Sequence, residues 1–106
     1  MSPRLGTILK ELRRRLEALY GDRLARLCLY GSQARGDAEP GSDIDVLVVL
    51  RGPVSPCAEI DRTVKDVANI SLKHEVVIAC VFVSQDSYDH EQSPFMLNLR
   101  QQEIAI

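Results

Sequence analysis

The chain has 106 residues, enough for one hydrophobic core and too few for a second independent one, so residues 1–106 read as a single domain. Apolar residues make up 45% and charged ones 26%, a globular balance that excludes a disordered tail, a collagen-like repeat or a disulfide-stapled miniature. Net charge is −2, with three Tyr, two Phe and no Trp, which leaves neither a generally basic surface nor an aromatic stacking platform for nucleic acid.

Leu5, Ile8, Leu9, Leu12, Leu16 and Leu19 recur at three- and four-residue spacing, which predicts an amphipathic helix over 4–20 that Gly21 can stop. Residues 25–30 form a short apolar strand, ended by Gly31-Ser32. Ser32 to Arg35 reads as one helical turn, and 36–42, dense in breakers, as loop. Residues 43–50, Asp-Ile-Asp-Val-Leu-Val-Val-Leu, are the clearest strand.

After a connection marked by Gly52, Pro53, Ser55 and Pro56, the spacing of Ile60, Val64, Val67, Ala68 and Leu72 predicts a second long helix over 57–73. Residues 75–83 are β-branched and apolar, a buried strand. Ser93-Pro94 starts a last helix through about Gln101, with Ser as N-cap and Pro at its first position. The final Glu-Ile-Ala-Ile adds an edge strand. The order α-β-turn-β-α-β-α predicts an α+β fold, a small mixed sheet with helices packed mainly on one face.

Cys28, Cys57 and Cys80 are odd in number and lack zinc-like spacing, so a disulfide framework or structural zinc is not expected. Cys28 and Cys80 lie in apolar runs as small buried residues, and a reducing, cytoplasmic setting fits. No stretch approaches a membrane span, and the first residues lack a continuous hydrophobic run. Charge is uneven: residues 1–36 carry eight Lys and Arg against three acids, residues 37–106 five against twelve. The acidic half either solvates the surface or holds divalent metal.

The informative segment is 30–50. Asp43 and Asp45 lie two apart on a strand, so they share a face with Cα atoms roughly 6.6 Å apart. Carboxylates so placed can converge on Mg²⁺, which takes one or two of them plus phosphate oxygens. The plainer reading is a wet strand start, although Asp is depleted in strands and two side by side repel. Gly31 lets backbone N–H groups approach phosphate, Ser32 adds a hydroxyl, and Arg35 stands about one helical turn on. Alone this would be an ordinary glycine turn with a serine cap. Gly-Ser, ten residues, then Asp-x-Asp arises by chance in about one or two per thousand chains of this length, so the two halves together favour the functional reading.

Gly31-Ser32-x10-Asp43-x-Asp45, with Ala34-Arg35-Gly36 and Ser42 between, resembles the signature of the DNA polymerase β-like nucleotidyltransferases, above all the minimal nucleotidyltransferase group. The resemblance implies a nucleotidyltransferase fold in which Gly31, Ser32, Arg35 and Ser42 hold a nucleoside triphosphate and Asp43 and Asp45 bind Mg²⁺, two ions in all. It also implies attack of an acceptor hydroxyl on the α-phosphate, with pyrophosphate leaving. Such families carry a third carboxylate on the next core strand. Here only Glu75, at the leading edge of that strand, could serve as ligand or base; the alternative is a surface Glu beside Lys73 and His74. His74 is expected in a loop, His90 in solvent, and Arg13-Arg14-Arg15 on a solvated helix face.

With so few residues beyond a nucleotide cradle, the acceptor must arrive separately. In the resembled group that partner is often a HEPN-domain ribonuclease toxin, adenylylated with ATP on a tyrosine by its antitoxin. Two other readings stand beside this one. A degenerate module could neutralise its partner by contact alone, or the acceptor could be a small molecule. Homo- or hetero-oligomers are compatible with each.

Overall fold

The computed structural model describes residues 2–39 and 41–106. The first helix, α1 (Pro3–Tyr20), opens as its sequence dictates: Ser2 Oγ accepts the Leu5 N–H at 3.1 Å and Pro3 takes the first turn. Its apolar stripe of Leu5, Ile8, Leu9, Leu12 and Leu16 is buried, whereas Leu19 is exposed. Gly21, at φ 54°, ends it, and a 3₁₀ turn over Gly21–Arg23 leads into β1 (Leu24–Tyr30). Then follow α2 (Gly31–Arg35), β2 (Ile44–Leu50), α3 (Pro56–His74), β3 (Ile78–Ser84), α4 (Gln85–His90), α5 (Pro94–Gln102) and β4 (Ile104–Ala105).

The sheet runs β3-β2-β1-β4; β2 pairs antiparallel to β1 and parallel to β3, and β4 pairs antiparallel to β1. It is the expected mixed α+β architecture. The long helices α1 and α3 cover one face over Leu27, Leu29, Ile44, Val46, Val48, Leu50, Ile78 and Phe82. On the other face α5 sets Leu99 against Cys28, Leu47 and Val49, with Tyr88 of α4 beside them. A fully buried leucine such as Leu12 or Leu16 contributes about 1.5–3 kcal/mol.

Polar groups lock α3 to α1. The Glu11 carboxylate, 6% exposed, accepts from Arg15, Lys73 and His74, each at 3.2 Å, and Arg15 also reaches Asp66 and Asn69. Tyr20 Oη donates to the buried Glu59 at 2.9 Å. These contacts choose which side of α3 faces inward. Glu59, Thr63 and Ile70 are its buried residues, while Ile60, Val64 and Leu72 of the apolar stripe are exposed.

Several local expectations change. His74 closes α3 rather than sitting in a loop, because its ring donates to Glu11. Arg15 is not simply solvated, for the same reason. The strand expected from 75 begins at Ile78, since Glu75 takes the left-handed helix-cap conformation at φ 55°. The segment 85–90, polar throughout, forms α4 because Ser84 Oγ caps it through the Ser87 N–H. Cys28 is buried, Cys80 half-buried and Cys57 exposed, and all three are free. His90 is exposed, as expected. The expected 36–42 loop includes Pro40, which lies outside the described residues. Among the described residues no helix is long and apolar enough to cross a membrane.

Candidate active site

β1 and β2 bring the two halves of the motif together. Tyr30 is paired with Asp45 across the antiparallel ladder, and Gly31 follows at once as the first residue of α2. The approach is close: a Cβ on Gly31 would stand 2.5 Å from Asp45 Oδ2, and the residue adopts φ 72°. Only glycine meets both demands. Gly31 is thus the position that lets the α2 turn close against the carboxylate.

Asp43 immediately precedes β2 and is exposed; Asp45, its second residue, is half-buried. Ile44 between them points to the opposite face, into the α1–α3 core. Burial raises the Asp45 carboxyl above its ordinary range, the charge of Asp43 raises it further, and the Arg35 guanidinium opposes both. Burial likewise raises the Tyr30 hydroxyl, with Asp45 adding to it. Gly31, Arg35, Asp43 and Asp45 therefore form one electrostatic neighbourhood. Arg35 also bonds Asp37 and Gln102, which ties α2 to α5.

Ser32 lies in the first turn of α2, where its carbonyl accepts the N–H groups of Gly36 and Asp37. Ser42 meets α2 through its carbonyl, which accepts from Gln33 Nε2 at 3.4 Å. Gln33 and Tyr30 are the positions that sequence reading did not single out. The signal available was their place flanking Gly31-Ser32, one on the strand paired with Asp45 and one on the turn.

Glu75 stands apart. It is exposed and lines, with Ser42 and Gln33, a cleft of about 820 Å³ whose floor is Leu5, Ile8 and Ile44, on the face of β2 that α1 and α3 cover. That wall includes neither Asp43 nor Asp45. Among the described residues no three of His, Cys, Asp and Glu gather as a metal site, so Glu75 does not join the pair. The position beside Asp45 on β3 is Ala79, by the parallel register. Asp43 and Asp45, the latter raised by burial and then by the charge of Asp43, could hold a divalent cation such as Mg²⁺, which would supply positive charge to phosphate oxygens.

Comparison with known proteins shows the family and the fold. A family model described as a nucleotidyltransferase domain matches residues 9–103. Over 72 residues the chain is 33% identical to the Methanocaldococcus jannaschii protein named "Putative protein adenylyltransferase MJ0141", covering 68% of this chain and 72% of that one. It is also 33% identical over 81 residues to the same organism's "Putative protein adenylyltransferase MJ0604", covering 76% and 75%. Among solved structures, one described as a toxin-antitoxin with AMP-PNP superposes with a TM-score of 0.59 at 18% identity, over 94% of this chain and 69% of that one. A structure described as a "putative nucleotidyltransferase from Sulfolobus solfataricus" gives a TM-score of 0.50 at 18% identity, over 99% and 86%. At that identity the structures speak for the fold, while the match over residues 9–103 embraces both halves of the motif and the strands that join them. The chain belongs to the nucleotidyltransferase domain family.

Proposed function

We propose that this protein is a Mg²⁺-dependent protein adenylyltransferase that uses ATP and acts as antitoxin to a HEPN-type toxin. The observation that carries the reading is the closure of Gly31 against Asp45, with Asp43 and Arg35 in the same field. It puts paired carboxylates beside a glycine turn, the combination a triphosphate–metal complex needs. Asp43 and Asp45 would hold the cation, which when bound neutralises the charge that develops on the phosphates. Ser32 and the α2 backbone would bind the triphosphate, with Arg35 supplying positive charge and Ser42 the facing wall. The acceptor hydroxyl oxygen attacks the α-phosphorus and releases its proton to water, the bond to the bridging oxygen breaks, and pyrophosphate leaves. Relatives named as protein adenylyltransferases support a protein acceptor, and the toxin-antitoxin neighbour supports the setting. Three free cysteines support a reducing cytoplasm.

The second reading, neutralisation by contact alone, is favoured by one observation: Ala79 stands beside Asp45 where a third carboxylate would complete the set. One experiment separates them. The protein is incubated with Mg²⁺, ATP labelled in its α-phosphate and the HEPN-type partner. The proposal expects label on a partner tyrosine and none with Asp43→Asn plus Asp45→Asn. Unlabelled partner whose toxicity is still suppressed, by the wild type and by the double variant alike, overturns it in favour of contact.

A further inference from the structure

We infer that the side of α5 facing α2 receives the nucleobase of the bound triphosphate, with Phe95 stacking on its face and Asn98 bonding its edge. The inference rests on the proposed reading only in placing a nucleoside triphosphate on Gly31, Ser32 and the Asp43–Asp45 pair. Phe95, Asn98 and Gln102 follow at i, i+3 and i+7, so they share one side of the helix. Contacts fix where that side looks: Phe95 meets Tyr30, and Gln102 Oε1 accepts from Arg35 at 3.1 Å. Met96 and Leu99, on the neighbouring flank, are buried.

This side adjoins the cradle where the carboxylates stand. Tyr30 is the residue before Gly31 and pairs with Asp45, which puts their Cβ atoms on one face of the sheet, about 4.5–5.5 Å apart. The Phe95 ring meets Tyr30 edge to face, with centroids 5.9 Å apart and planes at 89°. That contact anchors the ring without covering it, and Phe95 remains 45% exposed. In a nucleotide one sugar separates the α-phosphate from the base. A triphosphate held at Gly31 and Asp45 therefore has this ring within reach of its base.

The wall has the chemistry that a base requires. Arg100 is the one charged residue of α5, and its guanidinium is taken up by the Tyr88 and Glu91 carbonyls, at 2.9 and 2.7 Å. What faces α2 is an aromatic ring and two amides, neutral groups that offer a π surface and hydrogen-bonding atoms. Asn98 is exposed, and its Cβ leans toward the helix N-terminus and so toward Phe95. Its amide presents a donor and an acceptor side by side, which adenine matches with N7 and its N6 amino group. Guanine presents two acceptors there, O6 and N7, and leaves the amide carbonyl unpaired. Among the described residues the cleft beside Glu75 has no aromatic lining, and it lies on the other face of β2.

Calorimetric titration of the full chain with ATP, GTP and inorganic tripolyphosphate, each with Mg²⁺, tests the inference. Phe95→Ala should raise the ATP dissociation constant at least about fivefold and leave that of tripolyphosphate, which has no base, unchanged. Asn98→Ala should bind ATP and GTP alike, where the wild type prefers ATP. Leu97→Ala, an exposed position on the opposite side of α5, should change neither. The chain has no Trp, so Phe95→Trp reports directly: ATP should quench its indole fluorescence and tripolyphosphate should not. Should Phe95→Ala fail to fold, that quenching decides alone. ATP binding that Phe95→Ala leaves intact, or equal losses for ATP and tripolyphosphate, overturns the inference and leaves the transferase reading standing. An ATP preference that survives Asn98→Ala overturns the edge contact. If Phe95→Ala weakens ATP binding as expected but no label passes from ATP to the partner, the transferase reading falls and the base wall stands. A wild type that binds neither ATP nor tripolyphosphate overturns both.

Discussion

The two faces of β2 do different work within one seven-residue strand. Ile44, Val46, Val48 and Leu50 enter the α1–α3 core and are almost wholly buried. On the reverse face Leu47 and Val49 pack under α5, but Asp45 at the strand start lies half-buried beside Gly31 and Tyr30. Strand alternation alone separates, by a single peptide, a residue that holds the fold from one that the proposed reaction would use. Stability and reactivity should therefore be separable at adjacent positions.

The largest effect expected from breaking that contrast is on activity. Asp43→Asn with Asp45→Asn removes both carboxylates proposed to hold the cation at nearly constant volume, and the proposed adenylyl transfer should fall at least about a thousandfold. Melting temperature should hold or rise, because the folded state raises the Asp45 carboxyl and so disfavours its charge. Ile44→Ala, between the two acids, should do the reverse. It should cost about 2–5 kcal/mol in urea unfolding and leave transfer by the folded fraction close to wild type. If Ile44→Ala abolishes transfer at temperatures where the protein stays folded, the two faces are coupled after all.

How far the sequence carries this contrast depends on which forces write a period into it. The α1 stripe and the β2 alternation are legible because hydrophobic burial alone sets them. The acid pair and glycine turn are legible because a short spacing, Gly31 to Asp45, spans two paired strands. The inward side of α3 is not. Ile60, Val64 and Leu72 of its apolar stripe point out, since Glu11 with Lys73 and His74, and Tyr20 with Glu59, are pairs formed between residues distant in the chain. The start of β3 is hidden for a local reason, the left-handed cap at Glu75, which moves that carboxylate off the strand. α4 carries no apolar period at all and is visible only through the Ser84 cap.

Gly31→Ala sharpens the same comparison with an intermediate effect. The methyl would meet Asp45 Oδ2 at 2.5 Å, and the backbone would hold a non-glycine residue at φ 72°. Such a conformation costs about 1–3 kcal/mol. The carboxylate, at the end of a short side chain, would have to swing away, so transfer should drop more steeply than stability. Measuring ATP KM and kcat beside the urea midpoint checks this; a fall in midpoint with unchanged kinetics would mean that the close approach serves folding only.

The smallest effect, and the only one set by pH, belongs to the side covered by α1 and α3. Hydrogen bonds from His74 and then Lys73 hold the Glu11 carboxyl at about 2, below its ordinary 4.5. The folded state therefore binds the proton less readily than the unfolded chain does. The resulting stabilisation is complete above the ordinary value, shrinks as pH falls below it, and is gone once pH passes about 2. Glu11→Gln should lower the melting temperature at pH 7, and the gap to wild type should close progressively between pH 4.5 and 2. Because Glu11 sits across the sheet from Asp45, transfer per folded molecule should be unchanged in the variant. A melting gap that stays constant down to pH 2 would show that the substitution acts through packing rather than through the charge shared with His74 and Lys73.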